Sequence, residues 1–349
     1  MTMALVRSPV SVREADVRDA HECSGLERFV REQIGATPFH LPAWSLAVER
    51  GCGQRARYLV AERADGTLAG VLPLTEMRSA LFGKALVSTG FGVGGGVLGD
   101  AVESLASAAW ELAARLSIPG VELRGGDAPE GWSVDTSSYL GFVRPLGADD
   151  EAELKAIPRK QRAEVRRAAG FDLAVATGSG PAMLREHYRI YAESVRNLGT
   201  PVFPRALMRE TVALMDADVL TVRDEGQPLA SVLSLYFEGT VYPFWGGGTH
   251  GARTLRANDH MYFALMRHAH ARGCTHFDFG RSKTGTGAAA FKKNWGFVGE
   301  PLAYARRDRG APREVNPLNP KYAAMVATWK RLPLPVATAL GPWISRGLG

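Results

Sequence analysis

Cysteine is scarce: three in 349 residues, at Cys23, Cys52 and Cys274, with no CxxC spacing. That excludes a disulfide framework and a cysteine-based zinc site, leaving buried thiols in a reducing cytoplasm as the expectation. No run of 18 or more apolar residues occurs, so no transmembrane helix is expected. Residues 1–30 carry acids and bases throughout without an apolar stretch, so no secretory signal is expected either. Histidines are few and scattered, and His268 and His270 sit two apart, on different faces of any helix. There is no HExxH and no GxSxG; the nearest approach is Gly178-Ser179-Gly180. A metal centre and a serine triad are therefore not expected. Lysine is also sparse, eight of 42 basic residues, yet the net charge is +6. An anionic partner (nucleotide, coenzyme A, tRNA or charged lipid surface) fits that charge, but so does a plain Arg-rich composition.

Against these absences stands an internal repeat. LAGVLPL (68–74) and LASVLSL (229–235) each follow a strand-like run and a turn, Asp65-Gly66 or Glu225-Gly226, which predicts two β-hairpins. Glycine triplets follow in both copies, Gly94–Gly96 and Gly246–Gly248. YLGFVRPL (139–146) then matches NWGFVGEPL (294–302). Three landmarks in the same order at nearly constant offset predict two tandem units of one fold. Each unit reads as helical region, hairpin, strand, Gly-rich loop, helix, strand and closing strand. The central helices are expected at about 101–116 and 258–272, the second with Asn258 as cap, Met261, Leu265 and His268 on one face, and Gly273 as stop. The expected class is α/β (α+β): two domains, each a mixed, mostly antiparallel sheet flanked by helices.

This order resembles the GCN5-related N-acetyltransferase (GNAT) fold, and two such units in tandem resemble the Fem family (FemAB-like) of peptidoglycan aminoacyltransferases. PFHLPAW (38–44), GFGVGGGVLGD (90–100) and HFDFGRSKTGTGAAAFKKNWGF (276–297) carry the likeness. IPRKQRAEVRRA (157–168) and AESVRNLGTPVFP (192–204) narrow it to Fem-related proteins associated with exosortase (PEP-CTERM) and exopolysaccharide loci. The resemblance implies an acceptor-side domain at 1–147, a donor-side catalytic domain at 148–315, an acceptor cleft between them, and a tail, 316–349, returning to the first domain. It implies transfer of an acyl or aminoacyl group to an amine of a cell-envelope or exopolysaccharide precursor, small, nucleotide-linked or lipid-linked. The donor is aminoacyl-tRNA or acyl-CoA, with no tightly bound cofactor and no metal. The location implied is the cytoplasm or the inner face of the membrane.

Phe291-Lys292 matches the Fem Phe-Lys pair and is the candidate catalytic site. Attack of an amine on an acyl carbonyl builds an oxyanion that a preorganised cation stabilises; the competing reading is a solvated helix face bearing Lys292 and Lys293. Asp278, Arg281 and Lys283 are candidate substrate clamps. The loop around Arg196, Asn197 and Phe203 corresponds to an acceptor-facing Fem loop, with Trp245 beside it. Phe39, His40, Trp44 and Asp100 are the acceptor contacts implied in the first domain, with Trp44 as core the alternative. Arg159, Arg162 and Arg166, spaced three and four apart, would make one helical face cationic for a tRNA or pyrophosphate. Arg256 and Asn258, in THGARTLRAN (249–258), lie where a pyrophosphate loop belongs but do not complete its pattern. The apolar tail WKRLPLPVATALGPWISRGLG (329–349) is too short and Pro-rich to span a bilayer; docking on the first domain or interfacial membrane contact are its two readings. The rival to an enzyme is a non-catalytic precursor- or nucleic-acid-binding module.

Overall fold

The computed structural model describes residues 10–310 and 320–349. They form two units. One comprises residues 10–135, 303–310 and 347–349; the other comprises 136–302 and 320–346.

In the first unit the chain runs β1 (Val10–Ala15), α1 (Ala20–Glu32), α2 (Pro42–Cys52), β2 (Arg55–Arg63), β3 (Leu68–Ser79), β4 (Gly83–Ser88), β5 (Leu98–Gly99), α3 (Val102–Arg115), β6 (Gly120–Arg124) and β7 (Ser133–Asp135). The second unit holds β8 (Tyr139–Gly141), β9 (Val143–Pro145), α4 (Asp150–Ala156), α5 (Arg159–Ala169), β10 (Ala174–Gly178), α6 (Pro181–Leu198) and α7 (Arg205–Leu214). It continues with β11 (Ala217–Asp224), β12 (Gln227–Phe237), β13 (Thr240–Gly248), α8 (Ala257–Ala271), β14 (His276–Asp278), β15 (Ser282–Lys283), α9 (Gly287–Asn294) and β16 (Glu300–Pro301). β17 (Tyr304–Asp308) belongs to the first unit, while α10 (Pro320–Arg331) and α11 (Leu334–Ser345) belong to the second.

Both repeats of the Leu-Ala-x-Val-Leu motif sit on the second arm of a hairpin, as the turn chemistry predicts. Glu225 and Gly226 carry φ of 46° and 80°, so Asp224 faces Gln227 across a two-residue turn whose twist suits antiparallel strands. The first sheet runs β1-β2-β3-β4-β6-β17-β7, with β5 on β3; the second runs β10-β11-β12-β13-β14-β9. In each, only the pair flanking the central helix is parallel, β4 with β6 and β13 with β14. A crossover helix joins each parallel pair, because a hairpin cannot.

The closing strands are exchanged. β9, after the first Gly-Phe-Val, pairs with β14 through Phe277↔Arg144, and β17, after the second, pairs with β6 through Tyr304↔Arg124. Residues 136–147 therefore belong to the second unit and 303–310 to the first, unlike boundaries drawn at 147 and 315. The tail differs from expectation too. α10 and α11 pack on α6 of the second unit, and only residues 347–349 group with the first. Gly341 makes this docking possible, since a Cβ there would meet Val202 Cγ1 at 2.8 Å, and Ser345 Oγ donates to Val202 O at 2.8 Å.

Each sheet buries its own core. Leu72, Leu74, Leu86, Leu105 and Ile118 centre the first; Phe142, Met261, Leu265, Phe277 and Trp295 centre the second. Trp295 is fully buried and its indole Nε1 has no partner. Trp295→Ala should cost about 3–5 kcal/mol in urea unfolding, whereas Trp295→Phe, which removes the unpaired N–H, should cost under about 1.5 kcal/mol. Equal losses for the two variants would show that ring volume is not what Trp295 contributes.

Candidate active site

The site lies within the second unit, where its sheet opens. β13 and β14 pair only at Thr240↔His276 and Val241↔Phe277, so among the described residues no strand pairs with the far end of β13 on that side. A cavity of about 520 Å³ occupies this region, lined by β13 (Gly247, Gly248), α6 (Ser194, Asn197), α8 (Asn258, Tyr262) and α9 (Ala288, Phe291). The glycines are required by close approach. A Cβ on Gly247 would lie 2.3 Å from Ser194 Oγ, and one on Gly248 would lie 2.7 Å from Asn258 Oδ1. Asn258 Oδ1 is itself buried without a partner. Asn258 is not the helix cap; Arg256 takes that position in the left-handed region at φ 54°, placing Asn258 on the first turn.

Two of the lining rings, Tyr262 and Phe291, belong to an aromatic cluster. Tyr262 packs edge-on to Phe279 at 4.8 Å and tilts against Phe291 at 5.7 Å, while Phe279 meets Phe297 at 5.0 Å. Burial pushes the Tyr262 hydroxyl up to about 12, so it stays a neutral donor at physiological pH. The mouth is polar: His250, Arg253 and Thr249 line it, and the His250 amide donates to Glu193 Oε1 at 2.8 Å.

Phe291 and Lys292 divide between this cavity and the turn beneath it. Phe291 lines the cavity, as do Gly287 and Ala288 one helical turn earlier. Lys292 turns towards residues 280–281, where its Nζ donates to Gly280 O at 3.1 Å and Arg281 O at 2.8 Å. The rings of Phe142 and Phe279 lie 5.3 and 5.7 Å from the ammonium. Burial pulls Lys292 down to about 7, against the opposing pull of Asp278. Asp278, which accepts the Gly280 amide at 2.7 Å, is pushed by burial up to about 6. Two titratable groups with displaced protonation thus sit beside the turn at 280–281, one of them next in sequence to the cavity-lining Phe291, an arrangement associated with functional sites. Lys293, one residue on, is exposed.

The remaining candidates in this unit separate into groups. Arg281 and Lys283 lie over the Tyr139 ring at 5.0 and 5.7 Å; Lys283 is on β15, which pairs with the β8 strand of Tyr139, and Arg281 immediately precedes it. Asn197 lines the cavity, but Arg196 donates to Lys330 O at 3.3 Å on α10. Phe203 packs on buried Trp245 at 6.5 Å, and neither lines the cavity. The cationic stripe is interrupted. Arg159 and Arg166 are exposed, but Arg162 folds back onto the carbonyls of Ile157 and Lys155 at 2.9 Å each. Arg256 is engaged by Glu164 at 2.6 Å. Helical spacing places such side chains on one face without saying which carbonyls and carboxylates will claim them.

In the first unit, Phe39, His40 and Trp44 are core residues. They are 1, 4 and 0 % exposed, Phe39 packs edge-on to Trp44 at 4.9 Å, and Trp44 Nε1 donates to Gly90 O at 3.2 Å. Burial holds His40 near 4, hence neutral, with Nδ1 accepting the Thr37 amide at 3.0 Å. These side chains shape the 38–44 segment and present no open surface of their own. Asp100 is exposed and pairs with Arg63 at 2.8 Å.

With the geometry in place, the comparisons are informative. Residues 155–293 match an acetyltransferase (GNAT) domain. The matched stretch lies within the second unit. No curated protein sequence matches the chain. Among solved structures, the chain is similar to FemX at a TM-score of 0.67 and 14 % identity, covering 84 % of this chain and 96 % of that one. It is similar to the C-terminal domain of a putative lysylphosphatidylglycerol synthetase from Agrobacterium fabrum (TM-score 0.56, 13 % identity, 84 % and 93 % covered). A tandem GNAT protein from the clavulanic acid biosynthesis pathway aligns at 0.54, with 10 % identity over 87 % of this chain and all of that one. The architecture, mixed α/β with helix-flanked sheets, is GNAT-like.

Several cavity residues escape a reading of the sequence alone: Ser194, Tyr262, His250, Arg253 and Ala288. Tyr262, four residues after Asn258, shares its helical face, which is a usable signal. Ser194 has none, because only the sheet brings α6 over the glycines of β13.

Proposed function

We propose that the second unit is an acyltransferase that moves an acyl or aminoacyl group from an activated ester or thioester to an amine. The acceptor class is a cell-envelope or exopolysaccharide precursor. The observation that carries this reading is the cavity at the open end of β13, walled by Phe291, with Lys292 the next residue on α9 and its Nζ held by the carbonyls of Gly280 and Arg281. In the proposed reaction the amine nitrogen attacks the donor carbonyl, forming the C–N bond and a tetrahedral oxyanion. The C–O or C–S bond then breaks and the leaving group takes a proton equivalent to the one the amine releases. Lys292 supplies positive charge as the oxyanion forms, and Phe291 packs against the donor. Direct transfer needs no covalent enzyme intermediate, only positioning and charge.

Two donor classes fit this chemistry. Similarity in fold to FemX and to a putative lysylphosphatidylglycerol synthetase supports an aminoacyl donor, and the GNAT domain match supports acyl-CoA. The polar mouth bears on the choice. Arg253 and His250 favour a phosphate there, while Glu193, already bonded to the His250 amide, opposes one. A thermal-shift comparison of coenzyme A, acyl-CoA and aminoacyl-tRNA tests the reading. A true donor at about 100 times its dissociation constant adds roughly 2.7 kcal/mol, or about 5–10 °C in melting temperature. No shift with any of them contradicts a donor site here. The rival, a non-catalytic binding module, draws support from the two carbonyls that hold Lys292; it predicts precursor binding without turnover.

A further inference from the structure

Helix α11 is inside out. Its buried residues are Ala337, Gly341 and Ser345, spaced four apart and directed at the unit's own α6 region. Its large apolar side chains point the other way: Val336, Leu340 and Trp343 are 42, 48 and 56 % exposed and share one face at four- and three-residue spacing. Met325 on α10 is exposed as well. A helix stabilised only by its own domain buries its large apolar residues and leaves small or polar ones outside. Reversal of that pattern marks a face made for an apolar environment.

Charge identifies the environment. From Val315 to Gly349 the chain contains no Asp or Glu, while Lys321, Lys330, Arg331 and Arg346 are present. Lys330 and Arg331, at the end of α10, are exposed beside the start of α11. Apolar side chains including a tryptophan, joined to cations without a single acid, are the chemistry of a helix lying in the interface of an anionic bilayer. No helix among the described residues is long and apolar enough to cross a membrane, so contact would be peripheral. We infer that α11 is a membrane-docking helix, with Val336, Leu340 and Trp343 inserted among acyl chains and the α10 cations on anionic headgroups. This site is separate from the transfer cavity and does not depend on the reading of that cavity.

Sedimentation of the full chain with vesicles tests it, using phosphatidylcholine alone against a mixture about one-third phosphatidylglycerol. Binding is expected to the anionic vesicles and to weaken with salt. Each surface cation contributes about fivefold (about 1 kcal/mol), so Lys330→Gln with Arg331→Gln should weaken binding about 25-fold. Val336→Ser, Leu340→Ser and Trp343→Ser combined should abolish it; all three side chains are exposed, so circular dichroism and melting should not change. Should the triple variant misfold, quenching of tryptophan emission by brominated lipid, lost in Trp343→Phe, reports the same contact. Equal binding to neutral vesicles, or undiminished anionic binding by the triple variant, overturns the proposal. Absence of vesicle binding together with self-association that the triple variant abolishes also overturns it, and gives the face to a second copy.

Discussion

Lys292→Met is expected to lower turnover about 100- to 1000-fold, with donor affinity changed far less, because an oxyanion-stabilising cation contributes mainly in the transition state. Lys293→Met is the matched control and should change turnover by less than about threefold, since that side chain is exposed and points about a quarter-turn away. The two lysines differ in environment, not in chemistry. Lys292 is held by Gly280 and Arg281 carbonyls and flanked by Phe142 and Phe279. Its removal leaves two carbonyls short of a donor, so some stability loss accompanies the kinetic effect. The pH profile separates them. With Lys292 at about 7, a cationic role predicts that turnover falls as pH rises through 7, and that Lys292→Met lacks this limb. A rate that instead rises through 7 would make the neutral amine a general base. Stability moves in the opposite sense. The folded state releases the Lys292 proton near 7 and the unfolded chain holds it to about 10.5, so stability falls as pH is lowered from about 10.5 to about 7 and this group adds no further change below that.

The second large effect concerns the cavity itself. Ala288→Trp places an indole into the space shared by Gly247, Gly248 and Phe291, and should weaken donor binding at least about 100-fold, or about 2.7 kcal/mol. Ala288 is exposed on the first turn of α9, so melting should shift little. Ala290→Trp, on the same helix, also exposed and outside the cavity lining, should leave binding intact. Calorimetric titration with the donor identified by thermal shift reads both variants. Unchanged affinity in Ala288→Trp would remove the donor from this cavity.

Local rules made the framework legible. Asp65-Gly66 and Glu225-Gly226 announce hairpins because few residue pairs turn that tightly, and both hairpins are present. The period of Met261 and Leu265 and the stop at Gly273, φ 82°, define α8. The exchange of β9 and β17 was not legible, since strands of three to five residues carry no usable period and their pairing is non-local. Aromatic residues misled in the other direction. Phe39 and Trp44 have the composition of a ligand-lining pair and the burial of a core, and residue type alone does not separate these. Charge spacing does not show that the Arg162 guanidinium is taken by backbone carbonyls, and position in the repeat does not show that Arg256 is taken by Glu164. At 291–293 the order of residues indicates a site, but which lysine turns inward depends on the turn of α9 against residues 279–283.

The most direct measurement is a crystal structure of the full chain with the donor that raises its melting temperature. The expected density puts the donor's acyl carbonyl in the cavity between Phe291 and the Gly247-Gly248 end of β13. Density for the donor anywhere else, with that cavity holding only water, would contradict the assignment of the second unit as the transferring unit.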